Sequence, residues 1–283
     1  MTAIELGFLS ANVYNGVPID KALQSLAKHG YTRVELGAQP GHTHVKAEKV
    51  LSGGAGEIRN AVKQHGFEIS ALCSHVNHMH PDEKKRNELN AFFKKNIEAA
   101  AALDVSCLTT FSGSPTSWQS PGSADWALFK TVFDDLTDYA RQHGCKLAIE
   151  VHFGSMTYNV KTMRKMFETV PAKNLGLNFD PSHFIWQLID AQAAAEEFPG
   201  RIFHTHAKDV KVYHDKLRVC GVNDRSFYSQ RMPGWGDFDW KRFILFLMAE
   251  TECDVLSVEH EDHMFVGELG FVKAAEYLRP LLI

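Results

Sequence analysis

Short apolar runs and longer amphipathic stretches alternate along the whole chain, and this alternation limits the fold more than any other feature. The runs Ile4 to Leu9, Tyr31 to Leu36, Phe67 to Cys73, Cys107 to Phe111, KLAIE ending at Glu150, Leu175 to Asp180, Ile202 to His206 and Val255 to Glu259 read as strands. Helical spacing follows each, from Ile19 to Lys28, about Lys46 to Gln64, Asp82 to Leu103, Trp126 to Gln142, Val160 to Thr169, Ala191 to Phe198, Trp240 to Ala249 and Glu268 to Leu281. A helix crossing over between consecutive strands makes them parallel, and eight such units close into a barrel. The fold class expected is α/β, a single (β/α)8 TIM barrel over residues 1–283, with a long catalytic-face loop at 210–239. The length agrees, since such barrels typically take about 250 residues. Three helix-to-strand joints, KHG-YTRVEL, KQHG-FEISAL and RQHG-CKLAIE, repeat a glycine at Gly30, Gly66 or Gly144. Glycine takes the left-handed conformation that ends a helix, so the joints read as like units of one structure. A doubly wound open sheet would carry a glycine-rich phosphate turn after strand one, and LSANVYNG is not one.

Composition removes several classes of function. The formal net charge is −4 and no basic stripe appears, so no nucleic-acid partner is expected. Five cysteines without a CxxC spacing read as reduced thiols of a cytoplasmic protein. The stretch MTAIELGFLSANV has neither the charged nor the long apolar region of a secretory signal. No apolar run approaches the roughly 20 residues that span a bilayer, so no membrane partner is expected.

Four residues, Glu150, Asp180, His206 and Glu259, each close a separate strand-like run. At the same end of four parallel strands they converge on one point. Alternation along a strand puts Glu150 with His152, Asn178 with Asp180, His204 and His206 with Lys208, and Ser257 with Glu259 and Glu261 on common faces. Such groups inside a barrel are costly unless paired or bound to a cation. Taken singly, each acid reads more simply as solvated or paired with Lys208 or an arginine. Taken together, three carboxylates and an imidazole form an oxygen-rich set that suits one divalent ion, Mn²⁺ first, with Mg²⁺, Co²⁺ or Zn²⁺ as alternatives.

The motifs IEVH, FDPSH, HTHAKD and SVEHED, in this order, resemble those of the xylose-isomerase-like sugar isomerases and epimerases, which include ketose 3-epimerases and inosose-processing enzymes. The specific likeness runs from Glu150 to Asp262. The resemblance implies Glu150, Asp180, His206 and Glu259 as ligands of one metal and His183 as a substrate contact. It also implies a homodimer or tetramer. Polarising a carbonyl acidifies the neighbouring C–H, and two carboxylates can then remove and return the proton. Glu150 and Glu259 are the catalytic pair expected, and a partner such as Asp209 or a backbone carbonyl is expected to fix the second nitrogen of His206.

The activity implied is isomerisation or epimerisation of a sugar, ketose or cyclic polyol ketone through an enediolate-type intermediate. The alternative is a lyase or dehydratase acting on a keto-sugar, which the EHED and PGWGDFDW stretches also resemble, with a second kind of subunit as a further option. Ketose 3-epimerases carry a second glutamate where this chain has Met156 and an arginine where it has Val212. Arg218, Arg225 or Arg231 of the long loop can replace that arginine, and Arg231 is taken with Lys208 as a candidate substrate contact.

Other residues are weighed against plainer roles. His75, His78 and His80 follow the third strand, and His75 is kept as a substrate contact. Trp118, Trp186 and Trp235 can stack on a sugar, although packing is the default for each. Pro233 to Trp240 reads as a turn and an aspartate N-cap. SGS at Ser112 to Ser114 has no lysine or arginine beside it, so a phosphorylated substrate is not indicated.

Overall fold

The computed structural model describes residues 2–116 and 120–282. Eight parallel strands form a closed barrel: β1 (Glu5–Leu9), β2 (Arg33–Gly37), β3 (Glu68–Cys73), β4 (Cys107–Phe111), β5 (Lys146–Glu150), β6 (Leu175–Phe179), β7 (Ile202–Ala207) and β10 (Val255–Val258). Neighbours follow chain order, and β10 closes the ring by pairing with β1, Phe8 opposite Val258. The helices alternate with these strands as their apolar spacing predicts. Val160–Thr169, for example, begins where Asn159 accepts from the Thr162 amide at 3.0 Å, and Glu83–Ala102 begins where Asp82 accepts from the Lys85 amide at 2.8 Å. Gly30, Gly66 and Gly144 all have positive φ, at 83°, 77° and 71°. The repeated joint is therefore a repeated backbone conformation.

The helix expected from Lys46 to Gln64 is interrupted. Ala47–Lys49 and Ala55–Gln64 are joined by a wide turn over Val50–Gly54. Gly53 takes φ 109° there, which the apolar periodicity of the flanking residues conceals.

Between the helices and the barrel lies an apolar layer that includes Phe8, Tyr31, Phe93, Phe133, Phe243 and Phe271. Inside the barrel the upper layer is polar. His204 bonds Asn178 at 2.9 Å and Ser70 at 3.3 Å, below the ends of β5, β6, β7 and β10. Every such group must find a partner, because an unmatched one costs free energy.

The long stretch after β7 is built rather than loose. It forms an antiparallel hairpin, β8 (Asp209–Val212) with β9 (Tyr228–Arg231), enclosing a helix over His214–Cys220. Asp209 ties this hairpin to the next helix. It accepts from Trp240 Nε1 at 2.9 Å, from the amides of Val210 at 2.8 Å and Phe238 at 3.2 Å, and from that of Gly234 at 3.2 Å. A side chain at Gly236 would collide with Asp209 Oδ1, which explains the glycine in PGWGDFDW. As expected, Asp239 caps the helix Trp240–Glu250, accepting from the Arg242 amide at 3.0 Å. Asp209→Ala strands several buried donors at once, so urea unfolding should show a loss of about 3 kcal/mol.

Candidate metal centre

The parallel register brings the ends of β5, β6, β7 and β10 to one level, since Glu150 pairs with Asn178 and Ser257 with His206. One ligand atom each from Glu150, Asp180, His206 and Glu259 lies within 4.8 Å of the other three, and all four residues are buried. Nδ1 of His206 is 3.3 Å from both Glu150 Oε2 and Glu259 Oε2. Asp180 is oriented by its own turn, Oδ1 accepting from the Ser182 amide at 2.8 Å, which leaves Oδ2 facing the centre. Nδ1 of His206 is fully buried and lacks a hydrogen-bond partner, whereas Oδ2 of Asp180, equally buried, is approached by Lys208 Nζ at 3.0 Å and His183 Nε2 at 3.3 Å. The orphaned nitrogen and the oxygen-rich donor set fit a divalent cation.

The other nitrogen of His206 is held by a residue that the strand-end pattern does not pick out. Glu35, in the middle of β2, lies with Oε2 2.9 Å from His206 Nε2. Glu35 also accepts from Ser257 Oγ at 2.9 Å and from Thr109 Oγ1. Burial alone would raise its carboxyl, but the imidazoles of His206 and His204, with hydrogen bonds from His206 and Thr109, hold it down to about 2. Asp209 does not serve this purpose, because its carboxylate is spent on the PGWG turn. A lone glutamate inside the apolar run VEL was the signal for Glu35.

Lys208 supplies the local positive charge. Its Nζ lies 2.6 Å from Glu259 Oε2, 3.0 Å from Asp180 Oδ2 and 3.1 Å from Glu261 Oε2. Burial disfavours the ammonium, yet Asp180, Glu259 and Glu261 together push its pKa well up. His183, on a short helix Ser182–Ile185 not foreseen in the sequence, reaches Glu150 Oε1 at 2.9 Å and Asp180 Oδ2 at 3.3 Å. His75 stacks on Phe111 with centroids 4.0 Å apart and lies 3.3 Å from Glu150 Oε2.

Above these groups opens a cavity of about 280 Å³ whose walls include His75, His183, Lys208, Trp186 and Tyr228. Asn12, His152, Gln230 and Glu261 line it as well. Arg231 does not. It alternates with Tyr228 and Gln230 on β9, so it points the other way, and its guanidinium is tied to Tyr213 Oη at 2.9 Å and Asp262 at 3.3 Å. The arginine lining the cavity is Arg225. His78 and His80 leave the site too. His78 is buried between Asn90 and Thr110, and His80 accepts from the Asp82 amide, so neither joins His75 at the cavity. Trp235 packs edge-on against Phe265, and Trp118 lies outside the described residues. Ser112 accepts from the Thr157 amide at 3.0 Å, a structural use of the SGS stretch.

A parallel barrel with acidic and imidazole groups at its C-terminal rim defines a class of barrel enzymes whose loops and strand ends carry the chemistry. The chain belongs to the xylose isomerase-like TIM barrel family, whose pattern matches residues 23–281. It is 24% identical to the uncharacterised protein YfiH of Bacillus subtilis, over 94% of this chain and 96% of that one. It is 26% identical to inosose dehydratase of Salmonella typhimurium, over 75% of this chain and 65% of that enzyme, so just under two thirds of the enzyme is matched. Among solved structures, the IolI protein, crystallised with a bound zinc atom, superposes with a TM-score of 0.76 at 22% identity, covering 99% of this chain and 98% of its own. Among the described residues no helix is long and apolar enough to cross a membrane.

Removing one partner of a buried charge cluster leaves the rest uncompensated. Lys208→Met should therefore cost about 3 kcal/mol in urea unfolding with EDTA present. Adding manganese should recover more of the stability than it adds to the unaltered protein.

Proposed function

We propose that the chain is a divalent-metal-dependent isomerase or epimerase acting on a sugar, ketose or cyclic polyol ketone. The observation that carries this reading is the meeting of Glu150, Asp180, His206 and Glu259, with the unpartnered nitrogen of His206 turned into the space between them. These four residues are the proposed ligands, with Mn²⁺ the proposed ion. When bound, such an ion would polarise a carbonyl and its neighbouring hydroxyl and so acidify the C–H of the hydroxyl-bearing carbon.

The protein's own groups do the rest. Glu150 and Glu259 remove and return the proton. Neighbours fix each carboxylate plane: His183 Nε2 lies 2.9 Å from Glu150 Oε1, and Glu259 is held by Asn12 Nδ2 at 3.3 Å from Oε1 and Lys208 Nζ at 2.6 Å from Oε2. His183 and Lys208 face the substrate oxygens, Lys208 with the N–H that otherwise goes to the exposed carboxylate of Glu261, and His75 closes the wall beside Glu150. Glu35 holds the His206 ring so that Nδ1, and not Nε2, faces the centre. We take the enzyme to be cytoplasmic, in keeping with its five free cysteines, and to assemble as a homodimer or tetramer.

A second reading has its own support. The match to inosose dehydratase favours elimination of water after the same proton removal, with His183 or Lys208 protonating the departing hydroxyl. Product mass separates the two, unchanged for isomerisation and lower by one water for dehydration.

Metal analysis followed by mass-resolved screening against ketoses and inososes tests the proposal. EDTA should abolish turnover and manganese restore it. Glu150→Gln and Glu259→Gln should each lower kcat by about 10³-fold or more, whereas Met156→Leu, at a buried site off the cavity wall, should stay near the starting value. Full activity in both glutamine variants would remove the acid–base assignment. Glu35→Gln should weaken manganese binding about 10- to 100-fold in a calorimetric titration while the circular dichroism spectrum is unchanged.

A further inference from the structure

We propose that Arg225 reads the end of the substrate remote from the metal centre, and that the substrate carries a carboxylate there. The inference rests on the reading that this cavity takes the substrate, and not on which ion the centre holds. The cavity is graded from floor to mouth. Glu150 and Glu259 at the floor are 2% and 6% exposed, whereas Phe153 at the mouth is 39% exposed. Two cations line it, Lys208 and Arg225. Lys208 is consumed by Asp180, Glu259 and Glu261. Arg225 is not: among the described residues its guanidinium makes no hydrogen bond or ion pair and lies only over aromatic faces, 5.4 Å from Phe153 and 5.6 Å from Trp186.

Three features hold that guanidinium in place without using its donors. Trp186 is stacked on Tyr228 with centroids 5.2 Å apart, so the seat is rigid. Arg225 opens a turn whose last residue, Phe227, is buried against Val210 and Val212 of β8. The adjacent acid, Asp224, is turned to the Ser226 amide at 2.9 Å and does not neutralise it. Arg225 is exposed, and a guanidinium set over aromatic rings keeps its in-plane N–H fork for a ligand. One fork matches one carboxylate in two parallel hydrogen bonds.

The test is calorimetric titration of the manganese-loaded protein, repeated in EDTA, with two probes of similar size. Scyllo-inosose is a neutral cyclic polyol ketone, and dehydroquinate is a cyclic polyol ketone bearing a ring carboxylate. Dehydroquinate should bind about tenfold or more tightly than scyllo-inosose, the worth of a charge-assisted hydrogen bond. Arg225→Gln and Arg225→Lys should each erase that preference while manganese stoichiometry and scyllo-inosose affinity stay the same. Equal affinity for the two probes, failure of dehydroquinate to bind, or a preference that survives in Arg225→Gln would overturn the inference. Loss of manganese binding with the Arg225-dependent preference intact would instead sink the metal assignment and leave this inference standing.

Discussion

Carboxylates dehydrated around a common point dominate the energetics of this molecule. Glu35, Glu150, Asp180 and Glu259 are all buried, and Lys208 is the one ammonium set among the last three. Charges this far from water persist only when they are compensated. The chain provides compensation in two forms, Lys208 and the imidazole of His206, and leaves Nδ1 of His206 facing a space that a cation suits. The barrel's register depends on this arrangement and also creates it. Slipping any of the four strands by one residue would turn its acid or imidazole outward.

Much of this was legible before any coordinates. Eight parallel strands separated by crossover helices close into a barrel, and three of the helix-to-strand joints mark themselves with glycine. Acids at strand ends are likewise readable, because the strand's period and terminus fix where each side chain points. The sequence was less informative wherever a residue's role depends on contacts across the barrel. Glu35 sits mid-strand on β2, 171 positions from His206 in sequence, and only closure of the barrel brings them together. The break at Gly53 was hidden for a different reason, since apolar spacing continues through it. The segment 210–239, expected as a long loop, instead carries a hairpin and a helix, with Leu217 and Phe227 packed on Val210 and Val212 of β8.

The arginines show how local geometry decides between residues that look equivalent in sequence. Arg225 and Arg231 both belong to the same overhanging segment and both were open as cavity contacts. Strand alternation on β9 sends Tyr228 and Gln230 into the cavity and Arg231 to the other face, where Asp262 and Tyr213 hold it. Arg225 lies before the strand, on a turn, and is free of that alternation. Its direction is set by the rings it rests on. Its register relative to β9 could not be read without knowing where the strand begins.

The hairpin also explains how one barrel serves both a charged floor and an aromatic mouth. Strand ends can deliver only what the closed sheet allows, namely short side chains at a fixed height, and here these are the carboxylates and His206. Anything placed higher must come from a connection long enough to fold back over the rim. The segment after β7 meets that need, but a long connection is costly to order unless it has an anchor of its own. Asp209, with four donors aimed at it, and the buried Phe227 are those anchors. Floor and mouth are thus held independently. A relative can keep the same centre and take a different substrate by changing only what β9 and its preceding turn present.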